Sequence, residues 1–296
     1  MVTSAELDEV DPAVQARKSI DLHAHTTASD GTATPEQFVA AALRAELSAV
    51  AVTDHDTVAS VATVERLAAG SGMRVVPGVE LSVHDEAGKE IHLLGLHLQD
   101  LALMDAALTS VRDARRARAK DIVDKLNAIG VPITFDAVLA ESAGGAVGRP
   151  HVARALVKAG KATGVQDAFN RWLGQGKPAY VEKQRLSVSD GVALVHSAGG
   201  IAVYAHPQQE ATRERIAPLV ERGLDGLEVR HPSHSADDMK RIKALVNAFD
   251  LVPSGGSDWH GAEQGPRLLG CMRVNAEWLD LQLARVAKRG AAARPT

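Results

Sequence analysis

Ile20-Asp21-Leu22-His23-Ala24-His25, continuing to Asp30-Gly31, is an apolar run that ends in two histidines one residue apart. In extended backbone, side chains at i and i+2 point to the same side. His23 and His25 therefore offer two imidazoles to one shared point, and a metal ion is the simplest occupant of such a point. A single His-x-His is thin evidence. It gains weight here because matching groups recur, most of them just past a predicted strand: His55, Glu80, His92, His206, Asp258 and His260.

Outward from this stretch, short apolar strands alternate with helices. Strands are predicted over 19–22, 49–52, 73–76, 201–204, 226–229 and 251–254, and a hairpin over 81–98 turns at Asp85-Glu86-Ala87-Gly88. Helices are predicted over 35–46, 58–69, 189–198, 213–222, 235–249 and 276–288. The first of these has Thr34 as N-cap and Pro35 at its first position. The alternation points to a parallel α/β architecture. In parallel barrels, functional groups gather at the carboxyl ends of the strands, which is where these histidines and carboxylates fall. From residue 101 the pattern changes, and no clear strand is predicted before residue 200. Helices fit 101–129 (as one or two), 135–142, 150–159 and 165–173. We read 101–185 as a mostly helical insertion, 19–100 and 186–296 as the barrel, and 1–18 as a flexible lead-in.

The chain has 296 residues, 45% of them hydrophobic and 24% charged, as in an ordinary globular protein. A formal net charge of -4 gives no general attraction to nucleic acid or anionic membranes. No apolar run reaches the roughly 18 residues that suggest a membrane span. Residues 1–18 have no apolar core like that of a signal peptide, so a cytoplasmic location is expected. The single cysteine, Cys271, excludes an internal disulfide and a cysteine-rich zinc site. Metal must then be held by imidazole and carboxylate. His23, His25, Asp30, His55, Glu80, His92, His206, Asp258 and His260 exceed what one ion takes, since a catalytic zinc commonly uses about three protein ligands. Two or three divalent ions are expected, and imidazole plus carboxylate without thiolate suits manganese, zinc or iron about equally well. His84, His97 and His196 are read as packing or surface groups, and His151, His231 and His234 as intermediate.

Asp21-Leu22-His23-Ala24-His25, Thr53-Asp54-His55-Asp56, Pro77-Gly78-Val79-Glu80, Ile91-His92, Ala205-His206-Pro207 and Ser257-Asp258-Trp259-His260 together resemble the PHP (polymerase and histidinol phosphatase) family. The resemblance covers about 19–275. Ser29-Asp30-Gly31, Gly148-Arg149-Pro150-His151 and Gly176-Lys177-Pro178-Ala179-Tyr180-Val181 look like the branch acting on nucleoside bisphosphates or short RNA. The resemblance implies a distorted, TIM-like (βα)7 barrel with a helical insertion and a two- or three-metal site. It implies a first metal on His23, His25, Glu80 and Asp258. A second would use Glu80 as a bridge with His92 and His206, and a third Asp30, His55 and His260. Asp30 stands where some family members carry a histidine, and a carboxylate is still a competent ligand.

The expected chemistry is phosphate monoester hydrolysis by metal-activated hydroxide. The catalytic candidates are Asp258, His260 and His231, with His231 or His260 protonating the departing alkoxide. Arg149, at a predicted helix start beside Pro150, and Lys177 are candidate anchors for a second phosphate, and His231 also lines the substrate pocket. Arg112, Arg115, Arg116, Arg118 and Lys120 cover much of a helix surface and are read as a solvated face. The leading substrate is a nucleoside 3′,5′-bisphosphate cleaved at its 3′-phosphate. The alternatives are a 5′–3′ exoribonuclease on short RNA, a histidinol-phosphate phosphatase, and an inactive metal-binding regulatory module. Low aromatic content, 3%, argues against a stacking platform for long single strands.

Overall fold

The computed structural model describes residues 19–142, 145–182 and 186–292. The lead-in expected over 1–18 lies outside the described residues. Strand β1 (Ser19–Asp21) is wholly buried and pairs in parallel with β2 (Ala49–Val52), Ile20 opposite Ala49. Between them, α1 (Pro35–Arg44) begins at a capping box in which Thr34 and Gln37 exchange bonds. After α2 (Val61–Ala68), β3 (Arg74–His84) pairs in parallel with β2, Val50 opposite Val75. The strand predicted over 73–76 stops short of Pro77. The strand runs through it instead, since Pro77 sits in the parallel register opposite Val52.

The chain then reverses through the anticipated hairpin. Asp85 closes the turn with Lys89, and Gly88 takes the left-handed backbone that the turn needs, φ +78°. Strand β4 (Glu90–Leu96) is antiparallel to β3, which sets Glu80 opposite Leu94 and Ser82 opposite His92. A two-residue β5 (Leu186–Ser187), too short to be legible in sequence, pairs with β3. β6 (Ile201–Tyr204) is antiparallel to β4, and β7 (Gly226–Arg230) and β8 (Val252–Gly255) follow in parallel. β9 (Val274–Asn275), also unforeseen, runs antiparallel to β1. The ring nearly closes where Leu22 N–H donates to Gly255 C=O at 3.0 Å. The result is a distorted TIM-like barrel, its core built from Ile20, Leu22, Val50, Val76, Leu93 and Val203 among others. Burial of this apolar area is the main stabilising term, about 25 cal/mol per Å².

The region expected as one or two helices over 101–129 is one helix, α3 (Leu101–Ala128), capped by Asp100. No glycine or proline interrupts it, so nothing local breaks it. Met104 and Leu108 near its start join the barrel core. Ile122, Val123 and Leu126 near its end join a second apolar cluster with Val138, Val152, Leu156 and Trp172. That cluster packs α4 (Phe135–Ser142), α5 (Arg149–Lys158) and α6 (Val165–Ala168), the last running into a π-helical turn over Phe169–Leu173. α7 (Val188–Ser197), α8 (Arg213–Glu221), α9 (Ala236–Ala248) and α10 (Glu277–Ala292) complete the outer layer. Among the described residues no helix is long and apolar enough to cross a membrane.

Candidate metal centre

Strands β1, β2, β3, β4, β6 and β8 each lead into, or carry, a group of the centre. His23 and His25 follow β1 and are fully buried. Their backbone is stitched to the segment after β8, with Asp258 N–H donating to His23 C=O and His25 N–H to Trp259 C=O, both at 2.8 Å. Only glycine fits at 256, because a Cβ there would lie 2.4 Å from the His23 nitrogen. Glu80 on β3 is the hub. Its Oε2 lies 3.2 Å from His23 Nε2, 3.2 Å from His25 Nε2 and 3.3 Å from His55 Nδ1. Its Oε1 lies 2.7 Å from His92 Nδ1 and 3.2 Å from His206 Nε2. Asp258 Oδ1 is 3.2 Å from His25 Nε2, and Asp30 Oδ1 is 3.2 Å from His260 Nε2. Asp258 and His206 both hold left-handed backbone, φ +52° and +34°, a strained conformation for side-chain-bearing residues.

Among the described residues, four groups have ligand atoms within 4.8 Å of one another: His23, His25, Glu80 and Asp258; His55, Glu80 and His92; His25, Asp30, His55 and His260; and, behind the first, His23, Glu228 and His231. The sequence-derived grouping set His206 beside Glu80 and His92. The structure brings His206 to the same carboxylate oxygen as His92, and His55 reaches both the second and third groups. The donor set fits divalent cations. His23 Nε2, both nitrogens of His25, His55 Nδ1 and Asp30 Oδ1 are buried and make no hydrogen bond, a costly arrangement unless the atoms serve a ligand.

Charge follows the same plan. Burial alone would raise the Glu80 carboxyl, but His55, His23 and His92 outweigh it and hold the group well below the usual carboxylate range. Asp30 and Asp258 are likewise held low against burial, by His55 and by His23 first among their neighbours. Burial drives His55 down to about 3. His25 is also pushed down by burial, yet the Asp258 and Glu80 carboxylates beside it bring it up to about 10.

Tautomers separate ligands from donors. His260 Nδ1 donates to the Asp258 carbonyl at 2.9 Å, which leaves the Nε2 lone pair facing Asp30. That suits a metal ligand and not a proton donor. His231 Nδ1 accepts the Ser233 N–H at 3.1 Å, so its proton sits on Nε2, buried and 3.4 Å from Asp258 Oδ2. His234 spends both ring nitrogens on the backbone of Val229 and Gln208 and is structural.

Sequence reasoning missed the layer behind the centre. Glu228 on β7 is fully buried, accepts from His23 Nδ1 at 3.1 Å and from His206 N–H at 2.7 Å, and so aims two histidines at once. Asp21 accepts from the Ser257 and Gly270 amides and pins the segment bearing Asp258. Asp54 accepts from Thr26, Ser29 and Ser60 and holds the 26–30 loop from inside. The available signal was a carboxylate inside an otherwise apolar strand, clearest for Glu228.

A cavity of about 160 Å³ is lined by His55, His92, Asp30 and Glu90 together with Arg115, Arg118, Arg149 and Phe169, three arginines to two carboxylates. This corrects the solvated-face reading for Arg115 and Arg118, while Arg116 and Lys120 are exposed as that reading expects. Arg115 and Arg118 turn inward, Arg115 onto Asp56 and Ser82 and Arg118 onto the Val181 carbonyl. Burial and the neighbouring Arg149 push Arg118 down to about 10. Arg149 lies over the Phe169 and Tyr180 rings at 5.7 and 5.8 Å. Lys177 is exposed on its turn and does not line this cavity.

Buried imidazoles and carboxylates converging at one barrel mouth, beside a cationic cavity, define a metal-dependent phosphoesterase. The PHP domain matches residues 21–185. A 5′-3′ exoribonuclease of Haemophilus influenzae is 37% identical over 249 residues, 82% of this chain and 90% of the relative. A 3′,5′-nucleoside bisphosphate phosphatase of Chromobacterium violaceum is 34% identical over 259 residues, 85% of this chain and 90% of the relative. A solved Bifidobacterium adolescentis structure, assigned as a metal-dependent phosphoesterase, superposes with a TM-score of 0.82 at 32% identity, over 91% of this chain and 96% of that one. The chain belongs to the PHP domain family.

Proposed function

We propose that this enzyme removes the 3′-phosphate of a nucleoside 3′,5′-bisphosphate. The observation that carries the reading is the cationic cavity set directly against His55 and His92, which suits a substrate with two phosphates a nucleoside apart. His23, His25, Glu80 and Asp258 hold one cation in this reading; Glu80, His92 and His206, with His55 in reach, hold a second; Asp30, His55 and His260 hold a third. Manganese is the expected metal. Bound cations supply an acidified water and neutralise phosphate oxygens. Arg149 and Arg118 grip the distal phosphate with planar, multidentate donors. Phe169 offers a ring face to the nucleoside. His231 presents its Nε2–H to the centre and hydrogen-bonds the oxygen that departs. Residues 101–185 serve as the substrate-binding insertion, and Lys177 plays at most an outer, steering part.

A second reading, 5′–3′ exonuclease action on short RNA, is favoured by the Haemophilus influenzae relative's name. The same cavity would then seat the 5′-phosphate. Phosphate release from 3′,5′-adenosine bisphosphate, by metal-free protein reloaded with manganese, separates the readings when run beside a short 5′-phosphorylated RNA and histidinol phosphate. Preferential turnover of the bisphosphate, with KM raised in Arg149→Ala, is expected. Preferential nucleotide release from RNA would favour the second reading. Turnover of histidinol phosphate alone would sink the role given to the arginines.

A further inference from the structure

Asp30 sits in a loop, 26–31, that is gripped from two sides. Asp54 holds it from within the barrel. The outer grip comes from the segment that also carries Arg149. Ala146 N–H donates to Ala28 C=O at 2.9 Å, and Arg154 Nη1 to Asp30 C=O at 3.2 Å. Between them, His151 Nε2 meets Ser29 C=O at 2.9 Å. The approach is close enough that a Cβ at Gly145 would lie 2.5 Å from the Ala28 carbonyl oxygen.

His151 is the buried member of this set, 1% exposed. Its Nδ1 accepts the Gly148 N–H at 3.0 Å, so the ring proton is on Nε2 and is donated to Ser29. The imidazole therefore bridges two backbones. One is the first turn of α5, where Arg149 faces the cavity; the other is the residue preceding Asp30. Metal binding in this centre contributes no reason for a histidine at 151, since its ring nitrogens are both committed to backbone.

We propose that His151 is a positioning residue for the cation site of Asp30, His55 and His260: it fixes the Asp30 carboxylate through the Ser29 carbonyl and so ties that site's affinity to the seating of the Arg149-bearing segment. This rests on the reading that Asp30 ligates a cation. Loss of the clasp weakens one site only, because His23, Glu80, His92 and Asp258 are held by other strands. Second-layer partners of metal ligands commonly matter by 10- to 100-fold in affinity.

The test is stepwise Mn²⁺ titration of the full-length, metal-stripped protein, read by calorimetry and by metal analysis after desalting. Asp30→Asn is expected to abolish one equivalent and thereby identify the site. His151→Leu is expected to weaken that same equivalent about 10-fold or more and leave the others unchanged. His151→Gln keeps an acceptor for Gly148 and a donor for Ser29, and is expected to restore it to within about threefold. Should His151→Leu fail to fold, Arg154→Met carries the same measurement, with a smaller loss at the same site. If Asp30→Asn removes no equivalent, the reading of Asp30 fails and the proposal with it. If Asp30→Asn removes one while folded His151 and Arg154 variants bind it normally, or lose all equivalents alike, the proposal alone is overturned.

Discussion

Replacing Glu80 by glutamine keeps the side chain's volume and removes the one charge that five imidazoles share. Two of the proposed sites use that carboxylate, so Glu80→Gln is expected to lose at least one metal equivalent and nearly all turnover, measured by metal analysis and phosphate release. Glu228→Gln should act more gently. It leaves the ligands in place but removes the anion that fixes the His23 tautomer, and metal affinity at that site should fall about 10- to 100-fold in a chelator competition. The contrast marks what a sequence discloses at this scale. His23, His25, His55 and Asp258 were legible because metal chemistry narrows residue type and strand ends narrow position. Glu228, Asp21 and Asp54 act through contacts as far as 249 residues apart, as from Asp21 to Gly270, and no local pattern records such a contact.

At the scale of elements, α3 decides the substrate wall. Its arginines looked evenly spread, but Arg115 and Arg118 are three apart and share a face, while Arg112 turns to Asp105 and Arg116 to the Phe135 ring. Sequence alone does not say which helix face meets another element, and here the second apolar cluster rotates that face inward. Arg118→Ala is expected to raise KM for a bisphosphate about 10-fold or more with little change in kcat, because a charge-assisted bond of about 1.5–3 kcal/mol to the distal phosphate is lost. A different element-scale contact carries pH dependence. His97, at the end of β4, meets Gln282 of α10 at 2.9 Å, and burial holds its imidazole below the ordinary 6.5. The unfolded chain takes up that proton first as pH falls. The contribution is therefore complete above 6.5 and declines below it, until the folded imidazole itself titrates. The slope of thermal midpoint against pH below 6.5 should be shallower in His97→Gln than in the parent.

For the whole molecule, the parallel α/β alternation and the helical stretch after residue 100 were readable from hydrophobic period and helix signals. Closure of the ring and the sharing of α3 between two cores were not, because both depend on which apolar faces meet. Chelation should lower the thermal midpoint of the loaded protein. Ligand at 100 times its Kd stabilises a fold by about 2.7 kcal/mol per site, and the buried carboxylates and imidazoles have no comparable alternative partner in the unfolded chain. The ring also has a temporal meaning. Glu80 can meet His55 and His92 within one local strand exchange, but His23, His206 and Asp258 arrive only when distant strands have docked. Long-range closure of this kind is slow, so the centre is completed after the rate-limiting step. Manganese added to refolding protein should leave the folding rate nearly unchanged and slow unfolding, with stopped-flow fluorescence of the tryptophans as the readout. The cation then acts as a latch on a finished barrel, and a cell short of metal would make this enzyme at the usual speed but keep it for less time.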